Sequence, residues 1–239
     1  MRCSDLTLAS PAENLACDEA LLDLCEAGGS EELLRFWEPA QYFVVVGYAN
    51  KAGTEANLAF CRANSIPVLR RCSGGGTVLQ GPGCLNYSLI LRIGKSSPLE
   101  GISATNEFIL QRNRAALSEL LGKPVELRGH TDLAVRGLKF SGNAQRRHRN
   151  FLLFHGSFLL QMDISLIEKA LPMPSQQPGY RAHRGHTGFL LNLEMPAPAL
   201  KAALRAAWNA TEPQAQFPFP AITALARDKY LNDDWNLKF

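Results

Sequence analysis

The chain has no apolar run approaching the ~20 residues that a bilayer-spanning helix needs, so no helical membrane span is expected. It opens MRCSDLTLASPAENLA, with no basic segment leading into an apolar block. No secretory signal is therefore expected, and the protein is assigned to the cytoplasm. The six cysteines, Cys3, Cys17, Cys25, Cys61, Cys72 and Cys84, form no CxxC pair. A chain of 239 residues builds a core without covalent staples, so these thiols read as reduced, small hydrophobic side chains. Cys72 and Cys84 stay open as reactive candidates because they flank a glycine-rich stretch. Also missing are a strand–GxGxxG–helix unit, a GxSxG elbow, a P-loop and an HExxH helix. These absences argue against a doubly wound nucleotide fold, a hydrolase elbow and a zincin-type metal centre. A large charge of one sign is lacking too, and a net +3 is too mild to imply a nucleic acid partner. With no internal repeat or low-complexity tract, the length suits one domain over 1–239.

What is present is RRCSGGGTVLQGPGCLNYSLI, from Arg70 to Ile90. Three successive glycines remove every Cβ from a short loop, so a ligand can approach the peptide N–H groups closely. Two guanidinium groups beside it make the loop a candidate anion cradle; the alternative is a flexible hairpin connection with exposed arginines. Around it, helical spacing predicts a helix over Glu13–Ala27, ended by Gly28-Gly29. Buried strands are expected at Leu33–Trp37 and Tyr42–Gly47, and Thr54 is expected to cap a helix running to Asn64. Ile66–Arg71 reads as a strand delivering both arginines, Leu85–Arg92 as its return, and Thr105–Leu121 as a long helix. Asp132–Val135 and Leu138–Phe140 read as a hairpin turning at Arg136-Gly137. SGNAQRRHRN follows as a polar loop, then a strand over Phe151–Leu160 and a helix capped by Asp163. The proline-rich Leu171–Tyr180 reads as a mobile surface loop, with later helices at Pro198–Ala210 and Ala221–Asp228. Uneven alternation with hairpin-linked strands implies an α+β fold: a mixed, largely antiparallel sheet flanked by helices.

The second chemical segment is VRGLKFSGNAQRRHRNFLLFHGSFLL. On a half-buried strand Lys139 either snorkels to solvent or presents a point charge to a phosphate or carboxylate. Ser141, Gly142 and Ala144 would leave room for a ligand against the backbone. Asp132 could balance Lys139 across the hairpin, hold a magnesium ion, or be a surface turn residue. Arg146, Arg147 and Arg149 read as a solvated face, and His155 as a core histidine. His183 and His186 lack an evident third ligand, so no metal site is assigned.

Taken in this order, the two segments resemble the lipoate-protein ligase A family, in the biotin and lipoate ligase superfamily. The first motif rests on Arg70, Arg71, Ser73, Gly74, Gly75, Gly76, Val78, Gly83, Asn86 and Tyr87. The second rests on Asp132, Leu133, Lys139, Ser141, Gly142, Ala144, His155 and Gly156, and ENLACDEALL (Glu13–Leu22) is similar to the family's opening helix. The resemblance implies a class II biotin/lipoate ligase-like catalytic domain that uses ATP and Mg2+ to make lipoyl-adenylate. The acyl group then passes to a lysine of a lipoyl-domain acceptor, of the 2-oxoacid dehydrogenase E2 or glycine cleavage H protein type. It also implies nucleotide binding by Arg71, Lys139 and the backbone of Gly75, Gly76, Thr77, Val78 and Leu79. Acyl or substrate contacts are implied for Arg70, Ser73, Gly74, Asn86, Tyr87, Lys139, Ser141, Gly142, His155 and Gly156, with Lys139 catalytic. Val78 and Tyr87 would line an apolar slot for the tail.

Related octanoyltransferases work through a cysteine thioester, in one subgroup at a Cys-Phe pair; here that place reads TDLAV, Thr131–Val135, and no cysteine follows Cys84. This favours an adenylating ligase over an acyl transferase working without ATP, with a non-catalytic acyl- or lipoyl-domain-binding homologue as a third possibility. LNDDWNLKF resembles the close of the family's catalytic domain. No C-terminal accessory domain is therefore expected, and a separate polypeptide could supply it. Tyr180–Leu193 matches the family pattern poorly, so no binding role is carried onto it.

Overall fold

The computed structural model describes every residue except 29, 30, 96 and 215. Gly29, half of the expected helix stop, lies outside the described residues. The first half of the chain runs β1 (Arg2–Asp5), α1 (Pro11–Glu26), β2 (Leu33–Trp37), β3 (Phe43–Val46), α2 (Ala52–Glu55), α3 (Leu58–Ala63), β4 (Val68–Arg70), β5 (Val78–Gln80) and β6 (Cys84–Arg92). Then follow α4 (Ile102–Leu121), β7 (Glu126–Arg128), β8 (Asp132–Val135), β9 (Leu138–Arg147), β10 (Phe151–Leu159), α5 (Ile164–Ala170), α6 (His186–Phe189), α7 (Ala197–Ala207), β11 (Glu212–Pro213), α8 (Phe219–Leu225) and α9 (Asp233–Asn236).

Two sheets form. The larger has eight strands in the order β11-β1-β2-β6-β10-β9-β8-β7, and the smaller has three, β4-β3-β5. Pairing is antiparallel through the middle of the large sheet, while β1 runs parallel to both β2 and β11. The expected α+β class with a mixed, largely antiparallel sheet is therefore what the chain adopts. Residues alternate across the large sheet, as a two-residue pleat requires. One face packs Leu34, Phe36, Leu89 and Phe154 against Ile109 and Leu117 of α4 and Leu200 and Leu204 of α7. The other packs Leu33, Trp37, Ile90 and Leu153 against α1, Ile222 of α8, and Phe43 and Val45 of the small sheet. Among the described residues no helix is long and apolar enough to cross a membrane.

Several local expectations change. Helix α1 starts at Pro11, because Ser10 and Glu13 form a reciprocal capping box. The single helix expected from Thr54 is broken in two: Asn57 caps α3, its Oδ1 accepting from Phe60 N at 3.1 Å. The stretch SGNAQRRHRN is mostly strand, since β9 keeps pairing with β10 until Arg147 opposes Leu152. Arg147 is also tied inward, donating to the Leu99 carbonyl at 2.6 Å and to Thr105 Oγ1 at 3.1 Å. The proline-rich Leu171–Tyr180 is anchored at its middle, Ser175 to Glu55, and at its end, Tyr180 to Asp132.

Candidate active site

Register lays two rows of residues across the face of the large sheet that α1 and the small sheet cover. One row is Asp132, Gly142, Ser157, Asn86 and Trp37, on β8, β9, β10, β6 and β2. The next is Ala144, His155, Ser88 and Arg35. Directly opposed residues share a face, so these rows form a continuous floor. The same alternation turns Tyr87, Gly156 and Ser141 to the opposite face. There Tyr87 OH donates to Asn143 Oδ1 at 2.6 Å, and the ring stacks 5.1 Å from Phe158. Tyr87 thus belongs to the core under α4 and cannot line a slot on the floor. A Cβ on Gly156 would overlap the Asn143 amide, so that glycine serves the interior network.

A β-bulge aims Lys139. Leu133 opposes Ser141 and Ala134 opposes Lys139, which leaves Phe140 as the extra residue. Phe140 turns into the core, its ring 6.4 Å from that of Phe158. Without the bulge, Lys139 and Gly142, three residues apart, would face opposite sides; with it they share the floor. The lysine lies across Gly142, Nζ being 2.8 Å from where a Cβ would stand. It ends 2.7 Å from Asp132 Oδ1, and Asp132 Oδ2 accepts the Tyr180 hydroxyl at 2.8 Å. Burial first, then the Asp132 charge, raises the Tyr180 phenol, which keeps it a donor. Of the roles open to Asp132, the one seen is charge partner.

The glycine loop sits above Ala144; a Cβ on Gly75, whose φ is +86°, would be 3.5 Å from the alanine's Cβ. Its carbonyls point inward. Arg71 donates to Gly74 O at 2.5 Å and Gly76 O at 2.7 Å, and Asn50 Nδ2 donates to Gly75 O at 3.1 Å. The N–H groups of Gly74, Gly75 and Gly76 have no acceptor among the described residues. Gly74 and Gly76 border open space. The loop is thus an array of free amide donors whose shape Arg71 holds from behind. Arg71 itself is buried, and burial pushes its guanidinium down to about 10, so it stays charged at neutral pH. Its expected direct phosphate contact gives way to this indirect one. Thr77 Oγ1 lies 3.4 Å from Asn50 Nδ2, while Val78 and Leu79 run into β5 and pack toward the cores.

Arg70 has a different place from the one expected. It is fully buried and donates to five carbonyls: Gly47, Tyr48 and Asn50 before it, Trp235 and Asn236 near the chain's end. It fastens the C-terminal segment to the loop and does not face the floor.

A polar chain reaches the loop from α1. Arg35 NH1 lies 2.6 Å from Asp18 Oδ1, both fully buried, and Ser88 Oγ donates to Asp18 Oδ2 at 2.7 Å. His155 Nδ1 stands 3.7 Å from the same oxygen, and its Nε2 is 2.5 Å from Ser73 Oγ. Burial would raise the Asp18 carboxyl, but Arg35, His155 and Ser88 together outweigh it and hold it below the usual range. Asp18 lies within the recognised opening helix, yet its partners Arg35 and Ser88 lie far away in sequence and nothing in their spacing joins them. Asn86 contributes a buried Nδ2 with no partner among the described residues. Cys72 and Cys84 are buried, and burial, joined at Cys72 by the Glu19 charge, pushes both thiols up to about 12.

Unpartnered amide N–H groups and a strand lysine over one face of an antiparallel sheet make a site suited to an anion. The Lipoyl protein ligase A/B catalytic domain profile matches residues 10–194, and the chain belongs to that family. A probable lipoate-protein ligase A of Mycoplasma pneumoniae is 30% identical over 161 residues, covering 67% of this chain and 46% of that protein. The octanoyltransferase LipM of Geobacillus kaustophilus is 27% identical, with 95% and 94% covered. The match thus spans about half the length of the first relative and nearly all of the second. Among solved structures, lipoate-protein ligase A bound with ATP aligns at TM-score 0.79 and 23% identity, covering 99% of this chain and 98% of that one. The bipartite lipoate protein ligase of Thermoplasma acidophilum aligns at TM-score 0.81 and 22% identity, covering 99% and 95%. These two show the fold.

Proposed function

We propose that the protein is an ATP-dependent lipoate–protein ligase, accepting lipoate or octanoate and acylating a lysine of a lipoyl-domain acceptor. The observation that carries this is the row of free N–H groups at Gly74, Gly75 and Gly76, in a loop seated over Ala144 on the same face of β9 on which Lys139 lies across Gly142. Adenylation gathers charge on phosphate and acyl oxygens, and fixed amide donors with a movable ammonium are what such charge needs. ATP would supply the adenylyl group that activates the carboxylate, with pyrophosphate leaving. The loop amides would hold its phosphates, and Lys139 would leave Asp132 to meet the α-phosphate and acyl oxygens. Once Lys139 has left, Asp132 Oδ1 would be open to join the nucleotide phosphates in holding Mg2+, while Oδ2 stays with Tyr180. Asn86 and Ser157 of the floor would contact the acyl group, the buried Asn86 Nδ2 being without a partner among the described residues.

One observation favours a second reading, octanoyl transfer without ATP: the near-complete match to an octanoyltransferase. Against it stands the thiol chemistry, since Cys72 and Cys84 are buried and held protonated. A separate accessory polypeptide is compatible with the ligase reading, one structural relative being described as bipartite. Pyrophosphate exchange with lipoate, octanoate and biotin tests the proposal. Exchange with lipoate or octanoate and none with biotin is expected. No exchange with either acyl acid, even with an accessory domain added, together with ATP-free transfer from octanoyl carrier protein, overturns it. Binding without turnover would leave a non-catalytic homologue.

A further inference from the structure

Acyl transfer to a lysine has a requirement that adenylation does not: the attacking ammonium must lose a proton. Neither Lys139 nor the loop amides accept one. The floor holds a group that does, at the end of a hydrogen-bonded chain. Arg71 Nε, always a donor, reaches Ser73 Oγ at 3.1 Å. The Asp18 carboxylate, which can only accept, faces His155 Nδ1 with Oδ2 at 3.7 Å, so the ring hydrogen placed there leaves Nε2 to accept the serine's own hydrogen across 2.5 Å. Asp18 is oriented in turn by Arg35 and Ser88. The relay is close to the reacting region: His155 opposes Ala144 and Lys139 lies over Gly142, two residues away on the same face of β9. Diagonal neighbours of that kind stand about 7–8 Å apart, room for one acyl carbonyl between them.

The geometry points to Ser73, His155 and Asp18 as the proton relay of the lysine-acylation step, with His155 the base, Ser73 the conduit and Asp18 the positioning residue. This rests on the acyl-to-lysine reading of the site, whichever activated donor supplies the acyl group. The amine nitrogen bonds to the acyl carbon. The bond from that carbon to its leaving group breaks, the electron pair going to nucleotide phosphate oxygen or carrier thiolate. The ammonium's first proton passes to Ser73 Oγ as the serine hydrogen moves to Nε2, leaving imidazolium beside the Asp18 carboxylate. The second, shed once the N–C bond has formed, goes to the departing phosphate or thiolate or to solvent. General-base assistance of this sort contributes about 10²–10⁴-fold.

The test compares two nucleophiles on one activated acyl group. Hydroxylamine is neutral at pH 7 and needs no base before attack, whereas lysine does. With Asp18→Asn and His155→Gln, the ratio of acceptor-lysine to hydroxylamine acylation should fall about 100-fold from wild type. The ratio cancels any loss of folded enzyme or of adenylation, and the glutamine variant covers misfolding around Arg35. A ratio within about threefold of wild type in a folded variant overturns the relay, because a merely structural role slows both nucleophiles equally. Octanoyl carrier protein serves as donor if pyrophosphate exchange fails in wild type. Wild type that acylates lysine from neither donor refutes the acyl-transfer reading itself; lysine transfer with an unmoved ratio refutes only the relay.

Discussion

Lys139 Nζ lies 2.7 Å from Asp132 Oδ1, while the other Asp132 oxygen is held by Tyr180. Among the described residues, the one strand lysine on the floor is therefore parked against a carboxylate, from which an anionic substrate would draw it in the proposed reaction. Replacing Lys139 with alanine should lower adenylate formation by about 10²–10³-fold, the loss typical of one charged or oriented donor. The melting temperature should change little, because the side chain is partly exposed. Pyrophosphate exchange and a thermal melt check both; wild-type-like exchange removes Lys139 from the mechanism.

The loop amides depend on a glycine outside the loop. A Cβ on Gly47 would overlap the Gly75 carbonyl oxygen, and backbone cannot yield as a side chain tip can. Gly47→Ala should push that carbonyl off Asn50 and weaken nucleotide binding about tenfold, read by calorimetric titration. Gly53→Ala, where a Cβ meets nothing within 4 Å inside α2, should leave binding unchanged and stability equal or slightly higher.

Arg70 is a structural cation. Its replacement by methionine strips five carbonyls of their donor in a fully buried site. A loss of about 3–5 kcal/mol is expected from urea denaturation, the range for breaking a buried charged network. A loss under about 1 kcal/mol would mean that the C-terminal segment is not fastened through this side chain.

The thiols give a pH prediction. Cys72 and Cys84 are raised from 9.0 to about 12, so both stay protonated in the folded protein at pH 8. Alkylation by iodoacetamide at that pH should be far slower than for an unfolded chain, and Cys84→Ser should acylate at the wild-type rate. Because the folded values lie above the unfolded ones, the thiols' stabilising contribution is full below pH 9 and is lost as pH rises toward 12. A rapidly alkylated Cys72 at pH 8, with loss of transfer, would restore the thioester route.

The sequence by itself determined the α+β class and singled out the glycine loop and Lys139 as candidates for one site, since these follow from local composition and motif order. It did not divide the motif residues between the two faces of the sheet. Tyr87, Ser141 and Gly156 went to the interior, and that depends on strand register, which a one-residue slip reverses. Nor could it separate the two adjacent arginines. Arg70 became a clamp and Arg71 a scaffold behind the loop because carbonyls distant in sequence surround them. Asp18, Arg35 and Tyr180 were silent for the same reason: each matters through a partner brought close only by the fold. Above all, the bulge at Phe140 turns Lys139 onto the floor beside Gly142. Bulges are set by the pairing of two strands, so the direction of the central lysine was decided only when β8 met β9.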